Sequence, residues 1–546
     1  MRRLGTTLAV ALALALSATA CSTTKTTGGA TSSRTLVIAG SGTSFARNFN
    51  PFPLTGNGPW GPGISMIYEP LVAVDHATPT KFAPWLATSW AFSKGGKDLT
   101  FTVRKGVTWS DGKPLTAADV KYSLDAYRKA GWSTWTDVTT SGDTVTVHYP
   151  VPTYTAMASY MQYVIVPKHI WAGHNAMTWT DPDPVGTGPV VLDKFSPQAM
   201  FLHMRDGYWG GKSKGVSKLE ILAVAQQDAL VSDLNSDKID WAGTVLPSNG
   251  KQFTSTDPTH HQYTYYSSGA SEGVTFNAAR APFNDLNVRK AFVAAANVPQ
   301  MAKADNSGLP VPSVTGLDPA VWGSSIPAAY DKPQAQDLST AKQDLAAGGW
   351  TVQGGKLVKG GKSYSVSYTV PNSNPNAVTE AQLLAQQWQD ALGVNVAVNQ
   401  VGDNANSQIE STGNFDMAFT ACAYNGWTLA SAYGQFKATN NVPLGKAASA
   451  NIGRWVDPKF QALLLKYGAT DPSDTSTISQ LSSQMVGIIG DQAPFLPTHT
   501  QGTPAELDTL HWTNWPAASG SDHVIANSTN PADVIGTLMN LEPTGK

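Results

Sequence analysis

The chain has 546 residues, a formal net charge of −2, 14% charged and 41% hydrophobic residues, and 17 each of Trp, Tyr and Phe. That length exceeds one ordinary domain, the balanced charge excludes a basic nucleic-acid surface, and the aromatic content excludes a disordered chain. No internal run of 18 uncharged apolar residues occurs, so no spanning helix is expected in the body.

Arg2 and Arg3 precede the apolar run Leu8 to Leu16, and small residues Ala18, Thr19 and Ala20 lead to Cys21. A basic start, a short apolar stretch and small residues before a cut form a secretory signal. A cysteine at that point resembles a bacterial lipobox, which implies lipidation of Cys21 and cleavage before it. Residues 22–34 (STTKTTGGATSSR) are small and polar, as a flexible tether should be. Cys422 is the only other cysteine and is read as a lone thiol. Loss of the signal removes two arginines, taking the net charge from −2 to −4.

Thr35 to Ala39 reads as a buried strand ending in Gly40-Ser41-Gly42. Leu99 to Arg104 alternates at period two, and Ser110 to Lys113 is an Asp-Gly turn. Thr116, with Asp119 three residues later, marks a helix start, and Val120, Leu124 and Tyr127 share one side of that helix. Thr144 to Tyr149 is a further alternating strand, and others lie at Phe201 to Met204 and Leu219 to Val224. Helices are expected at Gln226 to Leu234, Val288 to Ala296, Thr340 to Ala347 and Thr379 to Leu392. A hairpin spans Lys356 to Val370, and Val394 to Val401 alternates again. After about Gln501 no regular pattern is evident. The expected fold class is α/β with mixed sheets.

Several segments then carry a resemblance. Tyr68-Glu69-Pro70-Leu71 is followed by Pro84-Trp85-Leu86-Ala87, by residues 99–107 (LTFTVRKGV) and by residues 109–115 (WSDGKPL). Later come Gly186-Thr187-Gly188-Pro189, Tyr208-Trp209, Phe276-Asn277, Pro282-Phe283-Asn284-Asp285 and residues 288–292 (VRKAF). Leu345 to Trp350, Phe415-Asp416-Met417, Asn451, Arg454-Trp455 and Pro494-Phe495-Leu496-Pro497 complete the series. In number and order these resemble the family 5 extracellular solute-binding proteins of ABC importers, the oligopeptide, dipeptide and nickel group.

The resemblance implies a type II periplasmic-binding-protein-like fold (cluster C) with three lobes. Lobe I would comprise 35–60, 186–272 and 500–546, lobe II 61–185, and lobe III 273–499. A ligand would lie between lobes I and III. Membrane permease and ATPase subunits are the implied partners, with membrane attachment through Cys21, an extracytoplasmic location, a monomeric chain, no nucleic acid and no cofactor. By the same resemblance, ligand contacts would come from Asn50, Phe52, Trp60, Tyr68, Glu69 and the loop Tyr424-Asn425-Gly426-Trp427. Peptide-binding relatives place an aspartate about ten residues after the "FD" of that last segment, to pair with the ligand's ammonium. Here Asn425 stands there, and no acidic residue occurs between Asp416 and Asp457. An amide gives a neutral bond of roughly half the strength. With Tyr424 and Trp427 it suits a neutral ligand such as a cello- or xylo-type oligosaccharide. The ligand is therefore an oligopeptide on family grounds, with an oligosaccharide as the alternative.

Other chemistries have little support. Gly207 to Ser213 and Gly355 to Ser363 approach a phosphate loop but have one glycine out of place. Gly42 to Ala46 approaches a Gly-x-Ser-x-Gly elbow but has Ala where the last Gly belongs, and no enzyme is expected. Capture of nickel or a metal chelate ranks below the oligomer readings. His260-His261 is the only adjacent histidine pair and reads as a surface pair outside any metal site.

Overall fold

Ten strands form one mixed sheet. In chain order they are β1 (Leu36–Ser41), β2 (Val190–Phe195), β3 (Ala199–Met204), β4 (Lys218–Val224), β5 (Trp241–Ala242), β6 (His261–Phe276), β7 (Val366–Pro371), β8 (Val396–Val401), β9 (Met417–Ala423) and β10 (Phe495–Asp508). Their spatial order is β8-β7-β9-β6-β10-β5-β1-β4-β3-β2. The computed structural model describes residues 34–52, 63–74, 82–224, 226–304, 308–424, 428–517 and 524–546. Cys21, Trp60, Asn425 and Trp427 lie outside these.

The two long strands β6 and β10 run antiparallel through the middle of the sheet. On its other side β10 carries β5 at Leu507, while β6 carries β9 from Ser271 onward. Their register shifts between Ser267 and Ser271 and again between Glu272 and Gly273. Such shifts bend and twist a ladder. Gly273 is needed there, because a Cβ would sit 2.3 Å from the Leu496 carbonyl oxygen.

The apolar clusters divide at the same place. One large cluster draws on residues 36–241 and 505–541, with a smaller one at 230–253. Two others draw only on residues 274–496. The first core also contains a four-stranded antiparallel sheet of Ala87–Ser93, Asp98–Val103, Thr144–His148 and Asp137–Ser141. Its covering helix, Ala117–Lys129, starts where the Thr116 backbone N–H donates to Asp119 at 2.8 Å. Val120, Leu124 and Tyr127 are buried beneath it, as the spacing predicts. This layer shares one continuous apolar cluster with β1 to β4.

Gly186 and Gly188 pack where a Cβ would meet the carbonyl oxygens of Ile67 and Met66, at 1.8 and 2.1 Å. Arg205 ties down the same crossing by donating to the carbonyls of Thr108, Trp109, Thr187 and Gly188. The C-terminal part is more regular than its sequence suggests. It holds the second half of β10 and the helix Pro531–Asn540, capped by Asn530. Gly360-Gly361 is the turn between Lys356–Lys359 and Lys362–Tyr364, so that phosphate-loop approximation is a hairpin.

Candidate functional site

Four of the residues expected to touch ligand are instead part of the first core. Asn50 is 2% exposed, and its amide donates to the carbonyls of Ala176, at 2.7 Å, and Trp179. Phe52 packs between Tyr127 and Trp171, with ring centres 4.8 and 5.2 Å away. The Tyr68 hydroxyl donates to Asp181, whose carboxyl burial pushes up to about 7. Glu69 accepts from Trp85 Nε1 (2.9 Å), Tyr208 Oη (2.7 Å) and Trp209 Nε1 (2.9 Å). Phe52, Tyr68 and Glu69 have no exposed surface. Their polar atoms are satisfied by protein, so these motif residues build the core and are withdrawn as cleft walls.

β6 and β10 pass from one core to the other. A cavity of about 330 Å³ opens there. Its wall includes Tyr265, Ser268 and Glu272 from β6, His499 to Thr503 from β10, and Leu309, Asn374 and Asn376 from the second core. Glu272 and His499 are directly opposed across the two strands. His499 Nδ1 lies 2.8 Å from Glu380 Oε1, and Nε2 lies 3.4 Å from Glu272 Oε2. Burial alone would lower the His499 pKa. The charge of Glu380 and the bonds to both carboxylates outweigh it and hold the value at about 10. The ring also stacks on Phe419, 5.9 Å between centres.

Glu380 is fully buried and receives the Thr498 hydroxyl at 2.7 Å. Glu272 is reached by Gln501 Nε2, and its side chain keeps 28% exposure. Burial opposes its ionisation, but His499 and Gln501 more than offset this and hold its pKa down. One imidazolium between two carboxylates leaves a net charge of about −1 beside the cavity. Among the described residues lining that wall, Glu272 is the only acidic one. Sequence reasoning missed it because its strand, HQYTYYSSGASEGVTF, changes register twice and shows no clean alternation.

A second cavity, of about 200 Å³, lies between the two cores away from these strands. Trp132, Trp135, Tyr149 and Tyr163 face it from the first core, and Ala430, Ser431 and Lys437 from the second. The last three follow the loop of Tyr424, Asn425 and Trp427. Tyr424 is half-buried, its backbone N–H donates to Ala432 at 2.9 Å, and burial raises its phenol pKa. Cys422 is wholly buried, and burial followed by the charge of Glu272 raises its thiol pKa. His261, expected on the surface, is 5% exposed at the start of β6.

Two cores joined by two continuous strands, with a cavity at the joint, fit the type II periplasmic-binding-protein fold. The pattern of the bacterial extracellular solute-binding proteins, family 5 Middle, matches residues 81–443, and the chain belongs to that family. It is 24% identical over 458 residues to the oligopeptide-binding protein OppA of Bacillus subtilis, covering 76% of this chain and 78% of the relative. Among solved structures it is similar to the periplasmic oligopeptide-binding protein of an ABC transporter from Thermotoga maritima. That match has a TM-score of 0.82 and 22% identity, over 94% of this chain and 100% of the other. A mannohexaose-bound structure from the same organism matches with a TM-score of 0.76 and 21% identity, over 94% and 99% of the two chains. Among the described residues no helix is long and apolar enough to cross a membrane.

Proposed function

We propose that this chain is the solute-capturing subunit of an ABC importer, held at the outer face of the cell membrane by a lipid on Cys21. It takes up an oligopeptide between its two cores, closes about β6 and β10, and presents the ligand to a permease driven by an ATPase. The three-lobe division at 272/273 and 499/500 belongs to the same reading. It is supported by the apolar clusters, which change over between residues 253 and 274 and between 496 and 505.

The observation that carries the peptide reading is Glu272. It supplies at the cavity wall the carboxylate that position 425 lacks, in a cluster of net negative charge. A peptide ammonium is the complementary group. Lys437, at the second cavity, offers the opposite charge for a ligand carboxylate. The aromatic and hydroxyl lining of that cavity, with Trp132, Trp135, Ser133 and Thr134, favours a second reading, an oligosaccharide stacked on ring faces.

Calorimetry separates the two. Short peptides with free amino termini should bind, and N-acetylation should weaken them by about tenfold, the loss of one charge-assisted bond. Glu272→Gln should abolish that difference. Equal binding of free and acetylated peptides refutes the role of Glu272. Binding of manno- or cello-oligosaccharides without any peptide replaces the first reading with the second. Cys21→Ala should release the protein into the medium, and continued membrane retention would refute the anchor.

A further inference from the structure

The far ends of the two long strands bring together a second polar cluster. His261, the first residue of β6, is paired with Asp508, the last residue of β10. Asp237 joins them from the turn after the helix Gln227–Asn235. One ligand atom from each of the three lies within 4.8 Å of the others.

Three features point to a cation. First, Asp508 is wholly buried, and while its Oδ1 accepts the Leu510 N–H at 2.7 Å, its Oδ2 has no hydrogen-bond partner among the described residues. An orphaned buried carboxylate oxygen is costly unless something fills the position. Second, His261 Nδ1 lies 3.0 Å from Thr256 Oγ1 and 3.1 Å from the Phe253 carbonyl oxygen; the hydroxyl donates to that carbonyl at 2.6 Å, and a proton on Nδ1 satisfies both contacts. In the neutral ring this turns the Nε2 lone pair toward Asp237 Oδ1, 3.4 Å away. A backbone carbonyl on the second nitrogen is the usual outer contact of a metal-bound histidine. Third, the nearby cation Arg34 is engaged by Asp240, at 3.2 Å, and among the described residues the basic side chain paired with Asp237 is His261.

We propose that Asp237, His261 and Asp508 form a binding site for a divalent cation of the zinc class. One imidazole and two carboxylates give the mixed nitrogen and oxygen donor set that zinc takes, with a charge of −2 to match the ion. Asp237 keeps 40% side-chain exposure, which leaves an entry path and room for water as a further ligand. The site is not the solute cleft. His261 and Glu272 are separated by eleven positions on β6, which at about 3.3 Å per residue is on the order of 30 Å. A cation here would clip the outer ends of the two strands whose inner ends line the cleft.

The test uses the full chain stripped with a chelator and then titrated with zinc chloride. One equivalent of zinc should bind, and cobalt should bind in its place with a visible d–d spectrum. Asp508→Asn, which keeps the shape of the side chain, and His261→Gln should each weaken zinc at least tenfold. Both variants should retain the wild-type far-ultraviolet circular dichroism. Absence of zinc binding to the stripped protein overturns the proposal and leaves His261 as a structural partner of Asp237. Zinc binding that neither variant weakens overturns it as well, by placing the ion elsewhere. If a variant fails to fold, cobalt spectra of wild type decide, since nitrogen ligation at His261 predicts a histidine ring resonance shifted by the paramagnetic ion. Lack of such a shift overturns the assignment.

Discussion

Replacing His499 with glutamine removes the cation between Glu272 and Glu380. Its pKa of about 10 stands against an ordinary value near 6.5. At about 1.36 kcal/mol per pH unit, that gap sets a ceiling of about 5 kcal/mol on the proton's contribution to folding. The removed imidazolium serves two carboxylates, one of them still reached by Gln501 and the other by Thr498. About 2–3 kcal/mol is therefore the expected loss at pH 6. The sign follows from linkage. A histidine whose pKa is raised in the folded state stabilises fully below about pH 6.5, and the contribution fades as pH climbs through 10. Urea unfolding followed by tryptophan fluorescence at pH 6, 7.5, 9 and 10 measures the difference between wild type and His499→Gln. The difference should be widest at pH 6 and shrink steadily. A difference that stays constant over this range, or an imidazole that titrates near 6.5 by nuclear magnetic resonance, refutes the reasoning.

Glu506 is a buried carboxyl that burial pushes up to about 8, with one backbone N–H, from Thr244, at 3.1 Å. A raised carboxyl pKa costs stability as pH rises from 4.5 through 8, so Glu506→Gln should stabilise the fold by about 1–2 kcal/mol at pH 8 and have no such benefit at pH 4.5. Thermal unfolding at the two pH values checks this. Phe52→Ala, emptying the space between Tyr127 and Trp171, should cost about 3–5 kcal/mol in chemical denaturation. Cys422 should resist thiol reagents in the native state and react once urea unfolds the chain, a contrast read by Ellman's assay.

Local pattern made many elements legible. The Thr116 cap, the alternation at Leu99 to Arg104 and the spacing of Val120, Leu124 and Tyr127 all correspond to observed structure. Short segments that bury one face announce themselves by period. The two long strands did not, because each serves both cores and shifts register on the way, which scrambles the alternation. The helix Pro531–Asn540 was overlooked although Asn530 and Pro531 form a recognisable start. Its Asp533 and Thr537 are buried along with Val534, Ile535 and Leu538, so its polar positions do not mark a solvent face. Site residues were harder still. Motifs such as Tyr68-Glu69 identify the fold because the core needs them, and that need is what withdraws them from ligand. Glu272 and His499 lie 227 positions apart in the chain and meet only when β6 and β10 pair.

The placement of Glu272 and His499 on the connecting strands bears on the order in which a ligand is judged. In any rotation of one body against another, points on the axis barely travel while distant points sweep far. The head group of a solute would meet the same surface in the open and closed forms, so its charge is assayed at first encounter. The cavity of Trp132, Trp135 and Lys437 draws its two sides from different bodies and takes its final width only at closure. Charge at the pivot would then govern how readily a solute is admitted, and the girth or length of its tail would govern how long it stays.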